Sequence, residues 1–242
     1  MLVLCLLSLA LWKGTILMSE KYPSYVKLPT ECDPQTIPNT PYTVRYSLTA
    51  KLNNHFESKL LFILMNPSHA TDLISDETIN YCAHIAYTDV KQLKIGSVTI
   101  VNIHPYYEPK SFKLQTIIED LKTNHPNLYG STMEKNKTTI LQEIDNANYV
   151  FLCTGLVPKE IVDKDSYRKL IRSIHNYLEE KVEFVFLCKG DQNKQFYGEG
   201  HFTYHLNPLG GQYVNKAKKF VIRNTEFLEV PNEPEIALTH YL

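Results

Sequence analysis

Four short apolar runs constrain the fold of this chain more than any other feature. They are residues 60–65, 98–103, 149–153 and 184–188. Each is shorter than a typical buried helix and lacks the alternation of a strand with one wet face. Strands buried on both faces read this way, and such strands belong to parallel sheets. Between the runs the spacing predicts helices. Ser75-Asp76-Glu77 offers an N-cap and an acidic first turn, followed by apolar Ile79, Cys82, Ala83 and Ala86. Residues 114–121 form a second helical segment. Residues 132–147 form a third, with Ile140, Leu141 and Ile144 inward. Residues 166–180 form a fourth, with Leu170, Ile171, Ile174 and Leu178 at helical spacing. Strands alternating with helices specify an α/β fold: a single domain with a mainly parallel central sheet and helices on both faces.

That domain is expected over residues 42–229. It opens on Tyr42, Val44, Tyr46 and Leu48, which alternate with polar residues as in a half-buried strand. Ahead of it, residues 18–41 hold Pro23, Pro29, Pro34, Pro38 and Pro41. Proline fixes φ and removes a donor, so this stretch reads as an extended arm, not a helix or central strand. Residues 230–242, with Pro231 and Pro234, read as a loosely attached tail. Residues 1–17 are an apolar leader with the only tryptophan, Trp12. Its apolar run is too short to span a bilayer, which takes about 20 residues. Three readings of it stand: a start codon called too early, with Met18 the working start; a signal or anchor; or a peripheral helix. No basic residue precedes the run and no small-residue cleavage site follows it, which favours the first and a cytoplasmic protein.

Charge and cysteines narrow the class. With 242 residues, 43% of them apolar, the chain can bury a core without a metal or disulfide. Its 25 basic and 26 acidic residues exclude a whole-protein basic field for nucleic acid. A start at Met18 would drop Lys13 and make the charge one unit more negative. Lys216, Lys218, Lys219 and Arg223 make one basic cluster, which as a charge run reads first as a solvated face. Cys32, Cys82, Cys153 and Cys188 are widely spaced, with neither a disulfide framework nor a zinc pattern. No cofactor, metal or membrane partner is expected, and the phosphate-binding and dinucleotide-binding glycine motifs and the nucleophile elbow are missing.

Ligands of open α/β sheets bind outside the carboxyl ends of the strands, so four loops draw attention. The first carries Asn66, Pro67, Ser68 and His69, then Asp76 and Thr78 at a helix start, where free N–H groups favour anions. The same residues also make ordinary turns. The second carries Asn102 and His104. Asn102 is polar inside a buried run and must find a partner, from a ligand or from a neighbouring loop. The third is Thr154-Gly155, where glycine permits close approach or simply a turn. The fourth runs from Lys189 past His201, His205 and Asn207 to Gly211. His201 and His205 have the four-residue spacing of metal ligands on a helix, but Gly198, Gly200 and Pro208 argue against a helix there.

Several of these blocks stand in a familiar order. Arg45-Tyr46-Ser47-Leu48, then residues 62–68 ending in Asn66-Pro67-Ser68, then Asp76-x-Thr78-Ile79 and Cys82 resemble the domain-of-unknown-function 1643 family. So do Val101-Asn102, Asn136, Thr154-Gly155 and a closing Gly-to-Pro-Leu segment over residues 190–209. The resemblance spans roughly residues 42–215 and brings no established activity with it. Thr71 stands where that family tends to be acidic, with Asp72 next. Asn207-Pro208-Leu209 stands where His-Pro-Leu is usual, and His205 lies two residues earlier.

A strand ending in Asn-Pro-small, with a late His-Pro-type loop, is also similar to the two active-site loops of the uracil/mismatch DNA glycosylase superfamily. That similarity implies a hydrolase acting on a nucleobase or nucleotide. Asn66 would orient water or base, Asp76 would act as base or hold the loop, and His205 or Asn207 would lie near phosphate. Pro67, Ser68, Thr78, Asn102, His104, Asn136, Thr154 and Gly155 would complete a ligand pocket. The near-neutral charge favours a free nucleotide or single strand over duplex DNA. The alternative is a non-catalytic module binding a nucleotide, anion or protein, since amides and hydroxyls outnumber acid–base pairs.

Overall fold

The computed structural model describes residues 20–32, 34–108, 111–156, 164–206 and 214–239. In chain order the first strands are β1 (Glu31–Cys32), β2 (Gln35–Thr36), β3 (Thr43–Val44), β4 (Ser47–Lys51), β5 (Ser58–Leu64) and β6 (Ile95–Asn102). They are followed by β7 (Tyr149–Leu152), β8 (Val185–Lys189), β9 (Lys216–Arg223), β10 (Glu226–Glu229) and β11 (Ile236–Ala237). The helices are α1 (Glu77–His84), α2 (Ser111–Asn124), α3 (Pro126–Asn146) and α4 (Lys164–Lys181). Nine strands form one sheet in the order β1-β4-β6-β5-β7-β8-β9-β10, with β11 also on β9, while β2 and β3 pair separately.

All four apolar runs become strands, and they form the parallel middle, β6-β5-β7-β8. The sheet as a whole is mixed, which corrects the expectation of a mainly parallel one. Antiparallel β4 and β1 extend one side, and antiparallel β9, β10 and β11 the other. Edge strands have a wet face and carry polar residues, so continuous runs do not reveal them. β9 reads Lys-Ala-Lys-Lys-Phe-Val-Ile-Arg, and Ala217, Phe220 and Ile222 are its buried positions.

Period-two alternation along the middle strands sends neighbouring side chains into separate clusters. Leu60, Phe62 and Leu64 pack with Ile79, Cys82 and Ala83 of α1. Leu61 and Ile63 pack with Ile140 and Ile144 of α3 and with Ile171, Ile174 and Leu178 of α4. Each fully buried aliphatic here contributes roughly 1.5–3 kcal/mol. A third cluster joins Ile37, Val44 and Tyr106 to Leu114, Ile118 and Leu121 of α2.

Helix starts follow local chemistry. Asp76 caps α1 with extended backbone, its Oδ1 accepting from the Ile79 N–H at 3.1 Å. Pro126 sits in the first turn of α3, where its missing N–H costs nothing, so that helix starts six residues before the predicted segment. The predicted strand over residues 42–48 divides instead: β3 pairs with β2, β4 pairs with β6, and the chain changes sheets at Arg45-Tyr46.

The basic cluster on β9 is answered locally by acids. Lys218 lies 2.6 Å from Glu229, Lys219 2.9 Å from Glu233, and Lys216 3.5 Å from Asp191. The tail is also fastened: β11 pairs with β9, Leu238 is buried, and the Thr239 hydroxyl donates to Asp89 Oδ1 at 2.6 Å. His205 lies outside the short turn that holds His201, so the two do not share a helical face. No helix among the described residues is long and apolar enough to cross a membrane. The apolar leader and the Asn207-Pro208-Leu209 segment lie outside the described residues.

Candidate functional site

β5 leads to β6 on one side, and the connection from β6 crosses back to β7 on the other side, so the direction of winding reverses at β5. Sheets of this kind hold ligands at that switch point, beyond the carboxyl ends of the strands. Three of the four loops marked in the sequence meet there within the described residues, and the fourth contributes His205.

The loop after β5 is gripped from beneath. Arg45 is 1% exposed, and its Nη1 donates to the carbonyls of Ala70 at 3.0 Å and Ser68 at 3.4 Å. Its guanidinium lies 5.8 Å from the centre of the Tyr107 ring, and the Tyr107 hydroxyl donates to the same Ala70 carbonyl at 2.9 Å. On the other side of that residue, the Ala70 N–H donates to Asp76 Oδ2 at 3.0 Å. A buried cation and a buried carboxylate therefore hold one residue, Ala70, between them. Asp76, with its other oxygen capping α1, has both oxygens committed to backbone N–H groups. Of its two expected roles, base or loop holder, this geometry supplies the second. Asn66 also works structurally: its amide donates to the Glu108 carbonyl of the neighbouring loop. Pro67 is buried, Ser68 Oγ is buried without a partner, and Thr78 sits half-buried in the first turn of α1.

The loop after β6 holds Asn102 and His104. Asn102 is 1% exposed, and neither its amide oxygen nor its nitrogen has a hydrogen-bond partner. His104 is buried with both ring nitrogens unpartnered, and its backbone N–H donates to the Met65 carbonyl at 2.9 Å. Burial lowers its pKa to about 4, with the Lys122 ammonium adding to the effect. Asn136 reaches in from α3. Its amide nitrogen donates to the carbonyls of Asn102 and Ile103 at 2.9 and 3.0 Å, and its oxygen has no partner. The chain end of β6 is thus held by α3, while several neutral polar atoms stay unpaired around it. An unpaired buried polar atom costs about 1–3 kcal/mol, so such a gathering needs a cause.

The loop after β7 is tied to the late part of the chain. The Thr154 N–H donates to Thr203 Oγ1 at 2.9 Å, the two hydroxyls lie 3.1 Å apart, and the Tyr167 hydroxyl donates to the Thr154 carbonyl at 3.2 Å. Thr154, expected to meet a ligand, is committed to protein partners. Gly155 follows at φ +77°, and a Cβ there would lie 2.5 Å from Met65 Cε and 3.7 Å from His205. His205 therefore stands at the switch point with Met65, the residue before Asn66. Gly155→Ala forces a left-handed residue, at about 1–2 kcal/mol. We expect a melting temperature about 2–8 °C lower by calorimetry; an unchanged value would show that the loop relaxes freely.

Arg45, Tyr107, Tyr167 and Thr203 are parts of this site with no role assigned from the sequence. For the first, the alternation of Val44, Tyr46 and Leu48 points instead to a wet face. The molecule is an α/β protein with neutral polar side chains gathered at the carboxyl ends of its parallel strands. Residues 45–196 match the family model described as Protein of unknown function (DUF1643), and the chain belongs to that family. No curated protein and no solved structure matches it. The matched span begins at Arg45 and contains Asn66, Asp76, Asn102, His104, Asn136 and Gly155, and it ends before His205.

Proposed function

We propose that the chain receives a nucleobase or nucleotide at the carboxyl ends of β5, β6 and β7, in a glycosylase-like architecture with helices on both faces of the sheet. One observation carries the reading: Asn102, His104, Asn136 and Ser68 bury unpaired donors and acceptors at one end of the sheet. They are amide, imidazole and hydroxyl groups, so the complementary ligand is an uncharged edge with both donors and acceptors, as a base presents. Binding is favoured over hydrolysis, because both Asp76 oxygens are committed to backbone N–H groups and Asn66 is bonded to Glu108. A free base, a nucleotide or a single strand suits the near-neutral charge.

The test uses the full chain. Thermal shift is measured against nucleobases and nucleotides, and base release is measured from uracil-containing and mismatched oligonucleotides. A shift without base release is expected. Base release abolished by Asn66→Ala would replace binding by hydrolysis. The absence of both shift and release would remove the proposal.

A further inference from the structure

A cavity of about 220 Å³ opens between α2, α3 and α4, with His104 in its lining. Its walls include Ile118, Met133, Tyr167 and Leu170, and Glu119 and Lys122 of α2 stand beside them. It abuts the same end of the sheet, since Tyr167 bonds the carbonyl of Thr154 and His104 bonds that of Met65. The volume is below the roughly 300–1,000 Å³ of pockets that hold drug-sized ligands, so it suits a single ring system and not a whole nucleotide.

Its rings are already aligned. His104 lies 6.4 Å and 24° from Tyr106 and 5.6 Å and 26° from Tyr167, and Tyr167 lies 6.4 Å and 21° from Phe202. A near-parallel series of rings thus passes the cavity, whose lining includes its two middle members, His104 and Tyr167, and offers their edges to another flat ring. At its centre His104 carries two nitrogens without partners inside the protein. Kept neutral, that imidazole has one donor and one acceptor to offer. Glu119 and Lys122 are of opposite sign and three residues apart, so the pocket carries no net charge that demands an ion.

We infer that this cavity takes one flat, uncharged heteroaromatic ring of the nucleobase class, packed edge-to-face against Tyr167, with its polar edge on a His104 imidazole turned toward it. The inference rests on the reading above and adds to it where the ring goes and which residues select it.

The intact chain is tested with uracil as probe and benzoate as control, using saturation-transfer NMR and thermal shift. His104→Phe keeps the ring series and removes both nitrogens. Leu170→Trp fills the cavity and leaves both imidazole nitrogens in the protein. Uracil is expected to bind the native chain, with at least a tenfold loss in each variant, and benzoate is expected to give no signal. His104→Phe should keep or raise the melting temperature, because it deletes unpaired buried polar atoms. Should His104→Phe fail to fold, Leu170→Trp alone decides. If uracil binds both variants as it binds the native chain, the cavity is not the site, while the broader reading stands. If no nucleobase or nucleotide binds the native chain, both fall.

Discussion

Asp76→Ala is expected to lower the stability of this chain by about 2–5 kcal/mol, the range of a lost helix cap together with a buried N–H left without its acceptor. Three effects act together. The α1 cap is lost, which alone costs about 0.5–2 kcal/mol. The Ala70 N–H loses its acceptor while buried. Arg45, 1% exposed, then keeps its charge with no carboxylate on the other side of Ala70. Natural domains have only about 5–15 kcal/mol in total, so the variant should melt far earlier. Arg45→Met should be costly for the mirror reason. The double variant should cost less than the two singles summed, by about 1–3 kcal/mol, because the two side chains hold the same residue, Ala70. Denaturant unfolding of the four proteins measures this. Strict additivity would mean that the two charges do not cooperate through Ala70.

Acid is expected to have the second large effect. His104 and His175 are both buried, and both pKa values are lowered from the ordinary 6.5 to about 4. Burial is the main cause in each, followed by Lys122 for His104 and by His201 for His175. Below pH 6.5 the unfolded chain takes up a proton at each site, while the native protein does so only near pH 4. The stability these neutral rings provide is therefore complete above pH 6.5 and is lost as the pH falls toward 4. At pH 4.5 the loss is about 2–3 kcal/mol for each histidine. Urea midpoints at pH 7 and 4.5 read it, and His104→Phe with His175→Phe should remove this part of the pH dependence. An equal acid sensitivity in native and double-variant chains would contradict the assignment.

The parallel middle of the sheet was legible because strands buried on both faces have no polar positions to interrupt them. β9 and β10 were not, because they mix lysine and glutamate with apolar residues and their pattern resembles a solvated surface. The α1 cap was legible from Asp76 and its neighbours, since capping is local. Arg45 shows the opposite case. Alternation with Val44, Tyr46 and Leu48 assigns it to a wet face, but the chain changes sheets at Arg45-Tyr46 and turns the guanidinium under the loop. That reversal depends on pairing with β6, which is distant in sequence. The site was legible in composition more than in role. Asn102 and His104 stood out as polar groups at the end of a buried run. Asp76, Asn66 and Thr154 looked equally suited to ligands, yet their hydrogen bonds go to the protein. Spacing cannot distinguish a free amide or hydroxyl from one already spent on a neighbouring backbone.

The central claim is that unpaired polar groups at the carboxyl ends of β5, β6 and β7 receive an uncharged base. Backbone amide chemical shifts of the labelled chain during a uracil titration test it most directly. The account predicts saturable changes gathered at residues 65–70, 102–107, 154–156 and 203–206, with the β9–β10 edge unmoved. Changes centred on that edge, or none at millimolar uracil, would contradict it.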